Sequence, residues 1–225
     1  KVQMEGLMRL KAMAKINLGL DVLGKREDGY HEVRMIMQTI RMYDILDIRK
    51  TRRPGIVLTT NLPFIPTDQR NLVYKAAQML MEEFDVEEGL SIKLRKFIPV
   101  AAGMAGGSSD AAAAFVGVNR MFHLGLTEEQ LMERAVKVGA DVPYCIMRGT
   151  ALAEGIGEKL TRLPEVPKCY VLIGKPGINV STKTAYENLN LEGIGKHPDI
   201  DGLIGAIRNN DLYAMASRME NVFEP

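Results

Sequence analysis

Cysteine is scarce in this 225-residue chain: Cys145 and Cys169 are the two present, far apart and outside any Cys-x-x-Cys pair. That usage excludes a disulfide scaffold and fits a reducing compartment, with both thiols expected as small buried apolar groups. Histidine is scarce too. His31, His123 and His197 are scattered, which argues against a histidine-based metal site, and no metal ligand is assigned. An excess of charge of one sign is also missing, and a net charge of +1 gives no sign of a nucleic-acid or acidic-membrane surface. No apolar run approaches membrane-spanning length, and Lys1 to Leu10 is too polar for a secretory segment. The expectation is a cytoplasmic protein without nucleic-acid or membrane partners, its oligomeric state open. Met8 is a candidate native start. Internal repeats and low-complexity tracts are absent, and the length suffices for one large domain or two modest ones.

What is present begins with an alternating segment, Leu10 to Leu23. Ala12, Ala14, Ile16, Leu18, Leu20 and Val22 recur with period two, which predicts a strand with Lys11, Lys15, Asn17 and Asp21 on its solvated face. Gly24 to Gly29 reads as a charged turn, Val33 to Arg49 as one or two strands, and Gly55 to Thr60 as a short strand. Asn71 to Phe84 carries helical spacing through Leu72, Ala76, Met79, Leu80 and Phe84. A strand over Ser91 to Phe97 leads to helices at Asp110 to Phe122 and Glu128 to Val138, the second opened by Thr127 and Gln130 as a capping box. Thr150 to Ala153 and Cys169 to Ile173 read as strands, the latter buried. Ser181 to Leu189 and Leu203 to Phe223 read as helical, and Gly193 to Gly202 as a polar loop. Glycine and proline between Gly155 and Pro167 mark a domain boundary. Without regular βαβ alternation, the fold class expected is α+β.

The segment richest in chemistry is Pro99-Val-Ala-Ala-Gly-Met-Ala-Gly-Gly-Ser-Ser-Asp110, followed by four alanines. Gly103, Gly106 and Gly107 permit backbone conformations that side chains forbid, so successive N–H groups can turn into one concavity. A helix starting near Ser109 would aim its free N–H groups and positive dipole end at the same place. A phosphate chain fits there. Neither a Gly-Lys-Ser/Thr ending nor Gly-x-Gly-x-x-Gly is present, so the segment is neither a Walker A loop nor a dinucleotide fingerprint. The plainer reading is a Ser or Asp helix cap behind a turn.

Other features have ordinary readings when taken one at a time. Lys15 and Asn17 share a strand face, Tyr30-His31 follows a hairpin turn at Asp28-Gly29, Asp141 precedes Val-Pro as a cap or turn residue, and Tyr186 fits core filling. In this order, however, Ala14-Lys-Ile-Asn-Leu18, Asp28-Gly-Tyr-His31, Pro99 to Asp110, Gly139-Ala-Asp-Val-Pro143 and Gly174-Lys-Pro-Gly177 resemble the motifs of the GHMP small-molecule kinases. The Asp-Gly-Tyr-His and Gly-Ala-Asp-Val-Pro elements resemble most those members that act on a CDP-linked methylerythritol in the non-mevalonate isoprenoid route.

The resemblance implies a two-domain fold: a ribosomal-protein-like α+β N-terminal domain (1–163) and a ferredoxin-like C-terminal domain (164–225). Family chains continue beyond a segment like Asn221-Val-Phe-Glu224, which leaves open whether the second domain is complete. ATP is implied as co-substrate, with Mg²⁺ accompanying it. Asp141 matches the catalytic aspartate and Lys15 the lysine that partners it near the substrate hydroxyl. Asn17 matches a polar residue of the same site. Tyr30 and Tyr186 match aromatics that sandwich the cytosine, and His31 its hydrogen-bonding partner. Pro99, Val100, Ala101, Ala102, Gly103, Met104, Ala105, Gly106, Gly107, Ser108 and Ser109 match the loop around the ATP phosphates. Two alternatives stand beside this reading: a GHMP kinase for mevalonate, homoserine or a sugar, and a non-catalytic ligand sensor on the same fold.

Overall fold

Two long strands carry the chain through both of its compact units. In the computed structural model, which describes residues 6–177 and 182–224, chain order runs β1 (Met8–Lys25), β2 (His31–Thr51), β3 (Ile56–Thr60), α1 (Leu72–Glu83), β4 (Gly89–Arg95), α2 (Gly106–Met121), α3 (Glu128–Ala135), α4 (Val142–Met147), β5 (Thr150–Gly155), β6 (Lys159–Arg162), α5 (Thr182–Glu187), a short 3-10 helix (Leu191–Gly193), α6 (Ile200–Arg208), α7 (Leu212–Ala216) and β7 (Glu220–Asn221). The class is α+β, as the order of patterns predicts.

The first unit is assembled from Lys1–Ala14, Ile40–Pro99 and Ala105–Met147. Here β2 pairs antiparallel with β4, from Ile45 opposite Arg95 to Thr51 opposite Gly89. β3 lies parallel to β4, with Ile56 opposite Leu90. Alternation puts Leu46, Ile48, Leu90, Ile92 and Leu94 in the core. Helix α1 packs on α2, and α2 and α3 both pack on α4. Gly117 lets α2 sit tightly on the strands, since a Cβ there would lie 2.5 Å from Ile48 Cδ1 and 2.7 Å from Leu10 Cδ1. Helix α1 forms where the spacing predicts, with Asn71 as its cap, but it buries Val73, Ala76, Ala77, Leu80 and Met81, not Leu72, Met79 and Phe84. The Thr127–Gln130 capping box forms at α3.

The second unit comprises Lys15–Thr39, Val100–Met104 and Arg148–Pro225. β2 pairs antiparallel with β5 (Val33 opposite Gly155), β5 with β6, and β1 runs parallel to β7. The core joins Leu18 and Ile36 to Ile200, Leu203, Ile204, Ile207 and Met215. Each such aliphatic side chain contributes about 1.5–3 kcal/mol when fully buried.

Several expectations are corrected. Helix α2 begins at Gly106, three residues before Ser109, because Ala105 turns the chain into it with φ 52°. Lys15 and Asp21, expected on a solvated face, are buried along with the apolar positions. Asp141 leads into the unforeseen α4, where Pro143 is tolerated in the first turn. The Gly155–Pro167 stretch contains a hairpin strand, β6. Cys169 to Ile173 forms no strand, and Cys169, Tyr170 and Leu172 are exposed; an extended segment without a ladder partner has no hydrogen bonds to hold it as one. Between Leu203 and Phe223 the chain makes the rest of α6, then α7 and β7, because Asp211 caps a new helix after Asn210 turns left-handed. Ser181 of the expected 181–189 helix lies outside the described residues, and α5 occupies Thr182–Glu187.

Candidate active site

Left-handed backbone recurs at alternate positions of the glycine-rich loop: Ala101 (φ 54°), Gly103 (φ 69°) and Ala105 (φ 52°). Such turning brings successive N–H groups to one side. Gly106 and Gly107 are helical, so the freedom foreseen for them is not what the fold uses. What Gly106 supplies is closeness: a Cβ there would lie 3.1 Å from Lys96 Nζ and 3.3 Å from Ile98 Cγ2. No side chain caps α2, which overturns the plainer reading of a Ser or Asp cap. The first-turn N–H groups of an uncapped helix are left for an anion. Along the loop, Val100, Ala101, Gly103 and Gly107 are exposed, while Pro99, Ala102, Ala105, Gly106 and Ser108 are half-buried. Ser109 is buried and donates its Oγ hydrogen to the Met13 carbonyl at 2.6 Å, tying α2 to β1. Met104 is buried, and its carbonyl accepts from the Lys15 N–H at 3.2 Å.

Beneath the start of α2 lies a buried ionic cluster that the sequence reading missed. Lys96 Nζ donates to Asp44 Oδ2 and, at 2.6 Å, to Asp110 Oδ2. The Asp44 Oδ1 atom accepts from the N–H groups of Phe97 and, at 2.8 Å, Ile98. Asn61 grips the Lys96 backbone from both sides, accepting from its N–H at 2.7 Å and donating to its carbonyl at 3.1 Å. Asp110 Oδ1 is buried with no hydrogen-bond partner among the described residues. Burial pushes the Asp110 carboxyl well above the usual carboxylate range; Lys96 opposes that shift and Asp44 adds to it. The available signal was Asp44 inside the apolar run Tyr43-Asp-Ile-Leu46 and the pair Arg95-Lys96 between Leu94 and Phe97-Ile98.

In the second unit, β1 places Lys15 and Asn17 together, with Lys15 Nζ donating to Asn17 Oδ1 at 3.0 Å. At the β1–β2 turn, Asp28 accepts from the Tyr30 N–H at 3.1 Å and from Arg26, which holds its carboxyl below the ordinary range. Tyr30 is 58% exposed. His31 packs against Tyr186, ring centroids 5.2 Å apart and tilted, and Phe223 meets Tyr186 edge-on at 4.9 Å. Thus residues 155 positions apart in sequence, His31 and Tyr186, share one aromatic cluster. Asp141 belongs to the first unit, immediately ahead of α4, its carbonyl accepting from the Cys145 N–H at 3.1 Å. Among the described residues no group of three or more His, Cys, Asp or Glu side chains is placed to hold a metal ion.

Residues 71–149 match the family described as GHMP kinases N terminal domain. A 4-diphosphocytidyl-2-C-methyl-D-erythritol kinase from Lachnospira eligens is 56% identical over 217 residues, covering 96% of this chain and 75% of that protein. The crystal structure of a 4-(cytidine 5'-diphospho)-2C-methyl-D-erythritol kinase is 29% identical, covers 96% of this chain and 76% of that one, and superposes with a TM-score of 0.77. A homoserine kinase from Cytophaga hutchinsonii shares the fold at 18% identity and a TM-score of 0.71. Among the described residues no helix is long and apolar enough to cross a membrane.

Proposed function

The chain belongs to the 4-diphosphocytidyl-2-C-methyl-D-erythritol kinase family, and from that premise we propose that it transfers the γ-phosphoryl group of ATP to the 2-hydroxyl of 4-diphosphocytidyl-2-C-methyl-D-erythritol. The hydroxyl oxygen bonds to the γ-phosphorus as the bond to the ADP oxygen breaks, and the hydroxyl proton passes to Asp141. The products are the 2-phosphate and ADP, and the pathway is non-mevalonate isoprenoid synthesis. The observation that carries this reading is the uncapped start of α2 behind an alternately left-handed loop, in a chain so close to kinases of this name.

Phosphoryl transfer asks for positioning and charge stabilisation more than covalent work by the protein. Backbone N–H groups between Pro99 and Ser109 receive the phosphates, with Ser109 itself serving by fixing α2 to β1. Mg²⁺ accompanying ATP would supply neutralising charge to the phosphates and, as an ion that keeps most of its waters, would need few ligands from the protein. Lys15 stabilises the negative charge growing on the attacking oxygen, and Asn17, bonded to it, sets its direction. Tyr30 and Tyr186 stack on the cytosine while His31 reads its edge. In this reading the N-terminal domain, ribosomal-protein-like, spans 1–163 with the ATP loop, the ferredoxin-like C-terminal domain spans 164–225, and the enzyme works in the cytoplasm.

A coupled ADP-release assay tests this with the CDP-linked polyol, mevalonate, homoserine and galactose as acceptors. Efficient turnover of the first alone is expected. Preference for any of the others would overturn the substrate, and binding without turnover would make the protein a sensor.

A further inference from the structure

The fold buries two carboxyl groups and an ammonium where apolar packing would be the simpler choice. Desolvating charges is costly, and an ion cluster of this kind is weak evidence of stabilisation in itself. Its placement is informative. Asp44 comes from β2, Lys96 from the segment just after β4, and Asp110 from the second turn of α2, so one ammonium ties three elements together. The ammonium also stands 3.1 Å from where a Cβ on Gly106 would lie. Both carboxyl groups hold it, and Asn61 fixes its backbone in two directions.

We propose that Lys96 is a positioning residue for the nucleotide-phosphate cradle, setting the height of Gly106 and the direction of the first-turn N–H groups of α2 through its clamp between Asp44 and Asp110. The inference rests on the functional reading above, in which those N–H groups receive the ATP phosphates. Lys96 itself touches no ligand in this scheme. Its ammonium is the floor on which the helix start rests, and glycine at 106 keeps a Cβ from pressing on that floor.

Steady-state kinetics on the whole protein separate this role from a general structural one. Lys96→Met should raise the KM for ATP about tenfold, the scale of a sub-ångström positioning error, leaving the KM for the cytidine-linked substrate and kcat at saturating ATP nearly unchanged. Because Lys96→Met leaves two buried carboxyl groups without their shared partner, Lys96→Met combined with Asp110→Asn provides a version with one, Asp44, still held by the Phe97 and Ile98 N–H groups. Gly106→Ala should raise the KM for ATP severalfold in the native background but add little once Lys96→Ala has removed the ammonium. If all the lysine variants fail to fold, Gly106→Ala alone decides, and an unchanged KM for ATP overturns the proposal. It is equally overturned if the Gly106 and Lys96 effects multiply independently, or if kcat and both KM values change together. A native protein without saturable ATP dependence would instead defeat the functional reading itself.

Discussion

At the uncapped start of α2 the proposed ligand groups are backbone N–H groups, and the side chains beneath them, Lys96, Asp44 and Asp110, are almost wholly buried. Around Tyr186 the arrangement is reversed: half-buried rings from distant segments face one another, with Tyr30 out on a turn. The first region is braced by ion pairs and by glycine at 106, where a Cβ would press on Lys96 and Ile98. In the proposed function the second would recognise by side chains, whose placement depends on strand pairing at β7, where Phe223 follows Asn221 in register with Leu20 of β1. Preorganised backbone suits an invariant group such as phosphate, whereas side chains suit the part of a substrate that distinguishes it from others.

The largest test of this division lies outside both regions. Asp141→Asn keeps the shape but removes the proton acceptor, and turnover should fall by roughly 10²–10⁴. Substrate affinity for the cytidine-linked compound should change far less, as isothermal titration would record. Near-native turnover would remove Asp141 from the chemistry, and Lys15→Met should depress turnover in the same direction.

Next in size is the cradle. Gly106→Val places a branched side chain against Lys96 Nζ and Ile98 Cγ2, at 3.1 and 3.3 Å from its Cβ. ATP affinity should fall by roughly 10²-fold, the loss expected from misplacing phosphate by about 1 Å. Circular dichroism would verify that the fold persists, and unchanged nucleotide binding in the folded variant would place the phosphates elsewhere.

The aromatic cluster should respond more modestly and more selectively. Tyr186→Ala or Tyr30→Ala removes a stacking surface worth roughly 1–3 kcal/mol. Affinity for the CDP-linked substrate should therefore drop about tenfold or more, with the KM for ATP barely altered. Equal losses for both substrates would erase the contrast between the two regions.

The smallest effect concerns pH and stability. Folding holds the Asp110 carboxyl well above its ordinary 3.8, so the folded protein keeps a proton that the unfolded chain has released. Stability from the neutral acid is full below 3.8 and declines as pH rises toward the raised value. Asp47, gripped by Arg9 and Arg95, is held low and acts oppositely: its contribution is present above 3.8 and lost as pH falls through the depressed value. Asp110→Asn should flatten the decline of Tm on the alkaline side of 3.8 and leave the acid limb intact. An unchanged alkaline limb would show that Asp110 keeps no extra proton.

Local patterns determined much of this protein. Period-two alternation placed β1, helical spacing placed α1, a capping box placed the start of α3, and the glycine-rich run marked the turn into α2, because each depends on neighbours within one strand or turn. The resemblance carried by short motifs pointed to Lys15, Asp141 and the aromatics. Tertiary structure alone decided the rest. It left Cys169 to Leu172 exposed, with no strand pairing with them among the described residues. It buried Lys15 and Asp21 where alternation predicts solvent, because burial on a sheet face depends on what packs over it. It joined His31 to Tyr186 and Lys96 to Asp44 and Asp110, contacts between distant segments that no local period encodes. And it made Gly106 necessary for a reason invisible in the run of glycines: a clamped ammonium lies directly beneath it.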